Sequence, residues 1–141
     1  MYLLDTNVVS ELRKATVGKA DKHVLTWAGG VPAASLFICS ITVLELELGV
    51  LLMERRDARQ ALLLRTWMQT QVLPAFEGRI LSVDTAVALR CAALHVPDPR
   101  SDRDALLAAT ALAHAMTIVT RNTADFQPMG VALLNPWNPH P

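Results

Sequence analysis

Two cysteines are all that this sequence contains, and Cys39 and Cys91 have no C-x-x-C spacing. That excludes a disulfide scaffold, and their apolar surroundings predict two buried, reduced thiols in a cytoplasmic protein. The four histidines, His23, His95, His114 and His140, are scattered, so no zinc-binding constellation is visible. An excess of either charge is missing too: 13 Lys and Arg face 13 Asp and Glu, for a formal net charge of zero. Without a global basic field, a nucleic-acid partner would have to be held by a local site or by the surface of a second subunit. No apolar run can span a bilayer, because Glu45 and Glu47 interrupt the longest one, and no membrane role is expected. Asp5 likewise breaks any signal-peptide reading of the first residues. Internal repeats, low-complexity linkers, phosphate-binding loops, G-x-S-x-G elbows and dinucleotide fingerprints are all lacking.

What is present is a 141-residue chain, 52% apolar. This is ample for one core and predicts a single domain over residues 1–141. Tyr2 to Leu4, Leu36 to Ile41, Ile80 to Val83, Met116 to Thr120 and Val131 to Leu134 read as strands. Asp21 to Ala28, Thr42 to about Glu54, Asp57 to about Val72, Asp84 to about His95 and Asp104 to Ala115 read as helices. Strands alternating with helices predict an α/β domain with a mostly parallel sheet. Ligands bind such sheets beyond the carboxyl ends of the strands. Asp5 and the pair Arg121-Asn122 both follow predicted strands.

Each acidic position has a structural and a functional reading. Asp5 is either a turn former, its carboxylate bonding nearby amides, or a ligand at the edge of the sheet. Thr42 and Glu45 fit a capping box, in which Glu45 is purely structural. Yet Glu45 sits among leucines and valines, where a carboxylate must find a partner or lose its charge. Gly49, one turn on, suggests that something approaches that face closely. Glu47 points the other way, as a solvated or paired surface charge. Asp104 shares a face with Leu107, Ala108, Ala111 and Ala115 and so starts the apolar face of its helix. Ser101 or Asp102 is expected to cap that helix. Thr120, Arg121, Asn122 and Asp125 form either a polar loop or a second source of oxygen donors at the same edge. Three carboxylates converging there would repel one another unless a cation neutralised them. Oxygen-only donors suit Mg²⁺ or Mn²⁺.

The stretches LLDTNVVSEL, SITVLELELGV, DALLAATALAH and TIVTRNTADF, in this order, resemble the PIN-domain nucleases. They look most like the VapC and FitB-type toxins of type II toxin–antitoxin pairs, and the closing VALLNPW is similar to the FitB-like branch. The resemblance covers essentially the whole chain. It implies a three-layer α/β/α sandwich and a metal-dependent endoribonuclease. Asp5, Glu45 and Asp104 match the family's first three acids, and Asn122 stands where the fourth acid is expected. Asp5 and Asp104 would then hold Mg²⁺ or Mn²⁺ directly, while Glu45 would orient a water or bind a second ion. Asp125 is an alternative ligand. Thr6, Asn7, Thr120 and Arg121 would support the acids or contact phosphate, with Arg121 favoured for phosphate because its fork matches that geometry. The implied partners are an RNA substrate, a cognate antitoxin that is itself DNA-binding, and a second copy of the chain. The leucine-rich helix from Thr42 and the LLLRTWM stretch around Trp67 supply apolar surface for such an interface.

Two other readings compete. The amide of Asn122 fits a catalytically weak RNA- or protein-binding module. An aspartyl-phosphate phosphotransferase would also use a strand-ending Asp, but it would show a second Asp two residues on, where this chain has Asn7.

Overall fold

The computed structural model describes residues 1–139, so His140 lies outside the described residues. Five short strands form one sheet: β1 (Tyr2–Leu4), β2 (Leu36–Cys39), β3 (Ile80–Leu81), β4 (Thr117–Val119) and β5 (Leu133–Leu134). Their order is β3-β2-β1-β4-β5 and every pairing is parallel. Successive strand residues face opposite sides of the sheet, and this alternation divides the core. Leu3, Cys39 and Ile118 enter one apolar cluster, whereas Leu4, Ile38 and Val119 enter the other.

The helices cover both faces. The Leu4 side carries α1 (Thr6–Arg13), α2 (Lys22–Gly29), α3 (Ser40–Glu54) and α4 (Ala58–Trp67), through Val8, Val9, Trp27, Leu46, Val50 and Leu64. A wider π-type turn, Met68–Val72, continues α4 into the single turn α5 (Leu73–Ala75). The Leu3 side carries α6 (Thr85–Leu94), α7 (Asp102–Ala113) and the short α8 (Thr123–Phe126). Ala105, Ala108, Ala109 and Ala111 of α7 are fully buried, and their small side chains let the helix lie close to the sheet. The arrangement is the expected three-layer α/β/α sandwich with a parallel sheet between helical layers.

Several local expectations need correction. The stretch from Thr6 to Arg13, not assigned to any element from sequence, is a helix. Thr42 does not cap α3: the helix starts two residues earlier, at Ser40, and Cys39 Sγ accepts from the Ile41 N–H. The Thr42 hydroxyl is buried without a hydrogen-bond partner among the described residues. Asp102 is the first residue of α7 rather than its cap, and Ser101 occupies the cap position without a side-chain bond. The helix from Asp57 runs to Val72 as expected, with Asp57 as its cap, but its last five residues, Met68–Val72, are of π type. Nothing approaches Gly49, where an added Cβ would meet no atom within 4 Å. Leu44, Leu51 and Leu52 of α3 are exposed, in keeping with the apolar surface expected of that helix. Other expectations hold. Asp84 caps α6, Glu47 pairs with Arg65, and both cysteines are buried and free. No helix among the described residues is long and apolar enough to cross a membrane.

Because Thr42 is a buried hydroxyl without a partner and not a cap, Thr42→Val should leave stability unchanged or raise it by up to about 1 kcal/mol. A working cap would instead lose about 1 kcal/mol on the same change. Urea denaturation of the two proteins distinguishes these outcomes.

Candidate active site

The site begins where β1 becomes α1. The parallel pairing of Leu4 with Val119 brings the ends of β1 and β4 together, and the Asp5 N–H donates to the Val119 carbonyl at 2.9 Å. Asp5 Oδ1 caps α1, accepting from the Thr6 N–H at 2.8 Å. Asp5 Oδ2 accepts from Thr120 Oγ1 at 2.8 Å and from Asn7 Nδ2 at 3.4 Å. The two readings of Asp5 are therefore not exclusive: one oxygen caps the helix while the other faces the loop after β4. Only 9% of Asp5 remains exposed. Burial pushes its carboxyl above the usual range. The Thr120 and Thr6 bonds oppose that shift, and the charges of Glu45 and Asp104 add to it.

Thr120 is fully buried. Its hydroxyl donates to Asp5 and accepts from Asn7 Nδ2 at 3.3 Å and from the Asn122 N–H at 3.0 Å. The loop after β4 is thereby tied to the first turn of α1. Thr6 reaches the other way, its hydroxyl donating to Glu45 Oε1 at 2.8 Å. Glu45 thus finds its partner on α1 instead of at a cap, and its Oε2 lies 3.7 Å from Arg103 Nη1. Asp104, half-buried in the first turn of α7, has its carboxyl raised by burial and then by the charges of Asp125 and Glu45.

Asp5, Thr6, Asn7, Glu45, Asp104, Arg121 and Asn122 all line one open pocket of about 510 Å³. Asp125 is not among the lining residues, although its charge reaches Asp104. Ser10, Glu11, Lys14 and Trp137 also line the pocket and were not foreseen. For the first three the signal was available. In TNVVSELRK the residues Thr6, Asn7, Ser10, Glu11 and Lys14 fall on one polar arc of a helix, opposite Val8, Val9 and Leu12. Glu11 is structural: it accepts from the Asp21 N–H at 2.8 Å and from Lys14 Nζ at 3.1 Å. The Asp21 bond holds its carboxyl below the ordinary value.

The side-chain oxygens that could hold a cation, those of Asp5, Glu45 and Asp104, come from separate parts of the chain. Among the described residues no three carboxylates, histidines or cysteines are already gathered to hold a metal ion. This set suits a largely hydrated hard cation, since Mg²⁺ keeps several waters and takes only one or two carboxylates. The raised carboxyls of Asp5 and Asp104 are what a cation would relieve.

A family model described as PIN domain matches residues 2–130. The chain is 35% identical to the VapC ribonuclease Y4jK of Sinorhizobium fredii, over 99% of each protein. It is 34% identical to toxin FitB of Neisseria gonorrhoeae, over 98% of this chain and 99% of that one. Among solved structures, FitAB bound to an IR36 DNA fragment contains a chain that superimposes with a TM-score of 0.88 at 34% identity, covering 100% of this chain and 99% of that one.

In chelator-treated protein the raised carboxyl of Asp104 makes the folded state bind more protons than the unfolded state above the usual pKa of 3.8. Stability therefore falls as pH rises through the folded-state value. Asp104→Asn removes this penalty. It should raise the melting temperature at neutral pH, and the gain should shrink as pH is lowered toward 3.8. Melting curves of both proteins across that range test the sign.

Proposed function

The chain belongs to the PIN domain family, and on that premise we propose that it is the toxin of a type II toxin–antitoxin pair, a Mg²⁺- or Mn²⁺-dependent endoribonuclease. The observation that carries this reading is the opening of Asp5, Glu45 and Asp104, from three distant parts of the chain, into one pocket. The names of the relatives, a VapC ribonuclease and a toxin FitB, support the reaction and the biological role.

In this reading Asp5 and Asp104 hold the cation. When bound, it lowers the pKa of a water and neutralises charge on the scissile phosphate. Thr120 and Thr6 keep the Asp5 carboxylate in place by hydrogen bonds to its two oxygens. Glu45, fixed through Oε1 by the Thr6 hydroxyl and with Oε2 3.7 Å from Arg103, orients the attacking water. Asn122 supplies an amide oxygen or N–H where a fourth acid would stand. Arg121 binds phosphate.

The FitAB complex on DNA supports a DNA-binding antitoxin as partner, presenting a basic side chain such as Arg to the acids. A homodimer is supported by the exposed Leu44, Leu51 and Leu52 of α3 and Leu62 and Leu63 of α4. The two free thiols agree with action in the cytoplasm.

A catalytically weak binding module is the second reading, supported by Asn122 and by carboxylates that are not already gathered into a cluster. Calorimetric titration separates the two, because no binding of Mg²⁺ or Mn²⁺ at millimolar concentration favours the module. For the enzyme, Asp5→Asn should lower metal-dependent RNA cleavage to about one hundredth or less, since even residues that only support metal ligands are worth 10–100-fold. Circular dichroism should show the fold retained. Full cleavage by the variant would overturn the proposal.

A further inference from the structure

After β5 the chain runs into Asn135-Pro136-Trp137-Asn138, beyond the stretch that the family model matches. These residues make a tight turn. Asn135 Oδ1 accepts from the Trp137 N–H at 2.9 Å, and the Asn135 carbonyl accepts from the Asn138 N–H at 3.2 Å. Pro136, buried, presets the backbone for such a turn. Val119 of β4 lies opposite Leu134 of β5, so Arg121 and Trp137 leave the same sheet edge side by side. The Arg121 guanidinium carbon sits 5.2 Å from the centre of the Trp137 ring, within the range of a cation–π contact. Both residues line the acidic pocket. Trp137 is half-buried and packs against the core cluster that holds Leu4 and Val119, whereas Arg121 is exposed.

The other cation lining the pocket, Lys14, is engaged by Glu11. Arg121 differs. Its recorded hydrogen bond is made by the backbone N–H to Asn7, and among the described residues its guanidinium has neither a hydrogen bond nor an ion pair. A long, flexible cation facing a pocket of carboxylates would ordinarily collapse onto them. The ring holds it elsewhere and leaves its donors available.

We infer that Trp137 is a positioning residue for RNA: it holds the Arg121 guanidinium at the pocket wall, where the guanidinium binds a backbone phosphate of the strand that enters the pocket. This rests on the ribonuclease reading for its ligand but not for its geometry. A guanidinium held in one place gives a directed, bidentate phosphate contact, whereas a freely moving one gives only diffuse attraction. The ring therefore acts on substrate binding and registry, not on the chemical step.

The test uses the full chain and a fluorescein-labelled single-stranded RNA oligonucleotide, with Ca²⁺ in place of Mg²⁺ so that binding is read without turnover. Trp137→Leu should weaken binding about 3- to 10-fold, the worth of a cation–π contact. It should also reduce the slope of log affinity against log salt by about 0.7, the value of one phosphate on a single strand. Trp137→Phe, which keeps a ring, should restore most of both. The Arg121→Ala/Trp137→Leu double variant should bind no more weakly than Arg121→Ala alone. In cleavage assays Trp137→Leu should raise KM and leave kcat unchanged. A folded Trp137→Leu protein with the wild-type salt slope overturns the inference, as does full additivity with Arg121→Ala. Wild-type protein that binds no RNA overturns both readings, and RNA binding without cleavage in Mg²⁺ or Mn²⁺ overturns the ribonuclease reading alone.

Discussion

One hydrogen bond, from the Thr120 hydroxyl to Asp5 Oδ2, joins the central strand β1 to its neighbour β4 at the edge where the pocket opens. It exists because β1 and β4 pair in parallel with Leu4 opposite Val119, so the next residue of each strand emerges at the same place. From there the geometry propagates. The other oxygen of Asp5 caps α1, which sets the direction of that helix. The same turn then carries Thr6 toward Glu45 and Asn7 toward Thr120. Two threonine hydroxyls thus connect β4, β1, α1 and α3. A shift of one residue in strand register would turn Leu3 and Leu4 to the wrong layers and would disconnect the carboxylates from one another at the same time.

The pocket works against the stability of the fold that builds it. Asp5 is nearly buried and Asp104 half-buried, and each has its carboxyl raised by lost hydration and by neighbouring acids. A core of comparable burial without these charges would be more stable. Groups held in this way are a mark of functional sites. The two well-hydrogen-bonded acids also differ in kind: Asp5 is immobilised through both oxygens, whereas Glu45 is held through Oε1 with Oε2 near Arg103.

Much of this was legible in the sequence where local pattern and tertiary packing agree. The apolar strands, the cap at Asp84 and the Ala-rich face of α7 all follow from periodicity and capping chemistry. The failures occurred where a distant residue overrode a local pattern. Thr42 and Glu45 have the spacing of a capping box, but Glu45 is taken by Thr6, 39 positions away in sequence, and Cys39 caps instead. The helix α1 was missed because only three apolar residues mark it and its broad polar face belongs to the pocket. Trp137 escaped because its role depends on the alignment of β4 with β5, which no short motif encodes. Gly49 suggested a close approach that does not exist within the chain; it lies instead in a groove of about 300 Å³ between α1, α3 and α4, lined also by Thr6, Ser10 and Trp67.

The strand at the centre of the sheet, β1, precedes the other four in sequence. Tyr2 to Leu4 can pair with β2 soon after both emerge from the ribosome, but the partner on its other side, β4, lies far along the chain, and the Asp5–Thr120 bond spans 115 positions. Long-range parallel pairings of this kind form late. A growing chain therefore displays Asp5 and Glu45 well before Thr120 exists to anchor them, and α7 with Asp104 emerges only shortly ahead of β4. The pocket cannot be complete until β4 and Thr120 have emerged, so any shorter nascent chain carries no assembled site.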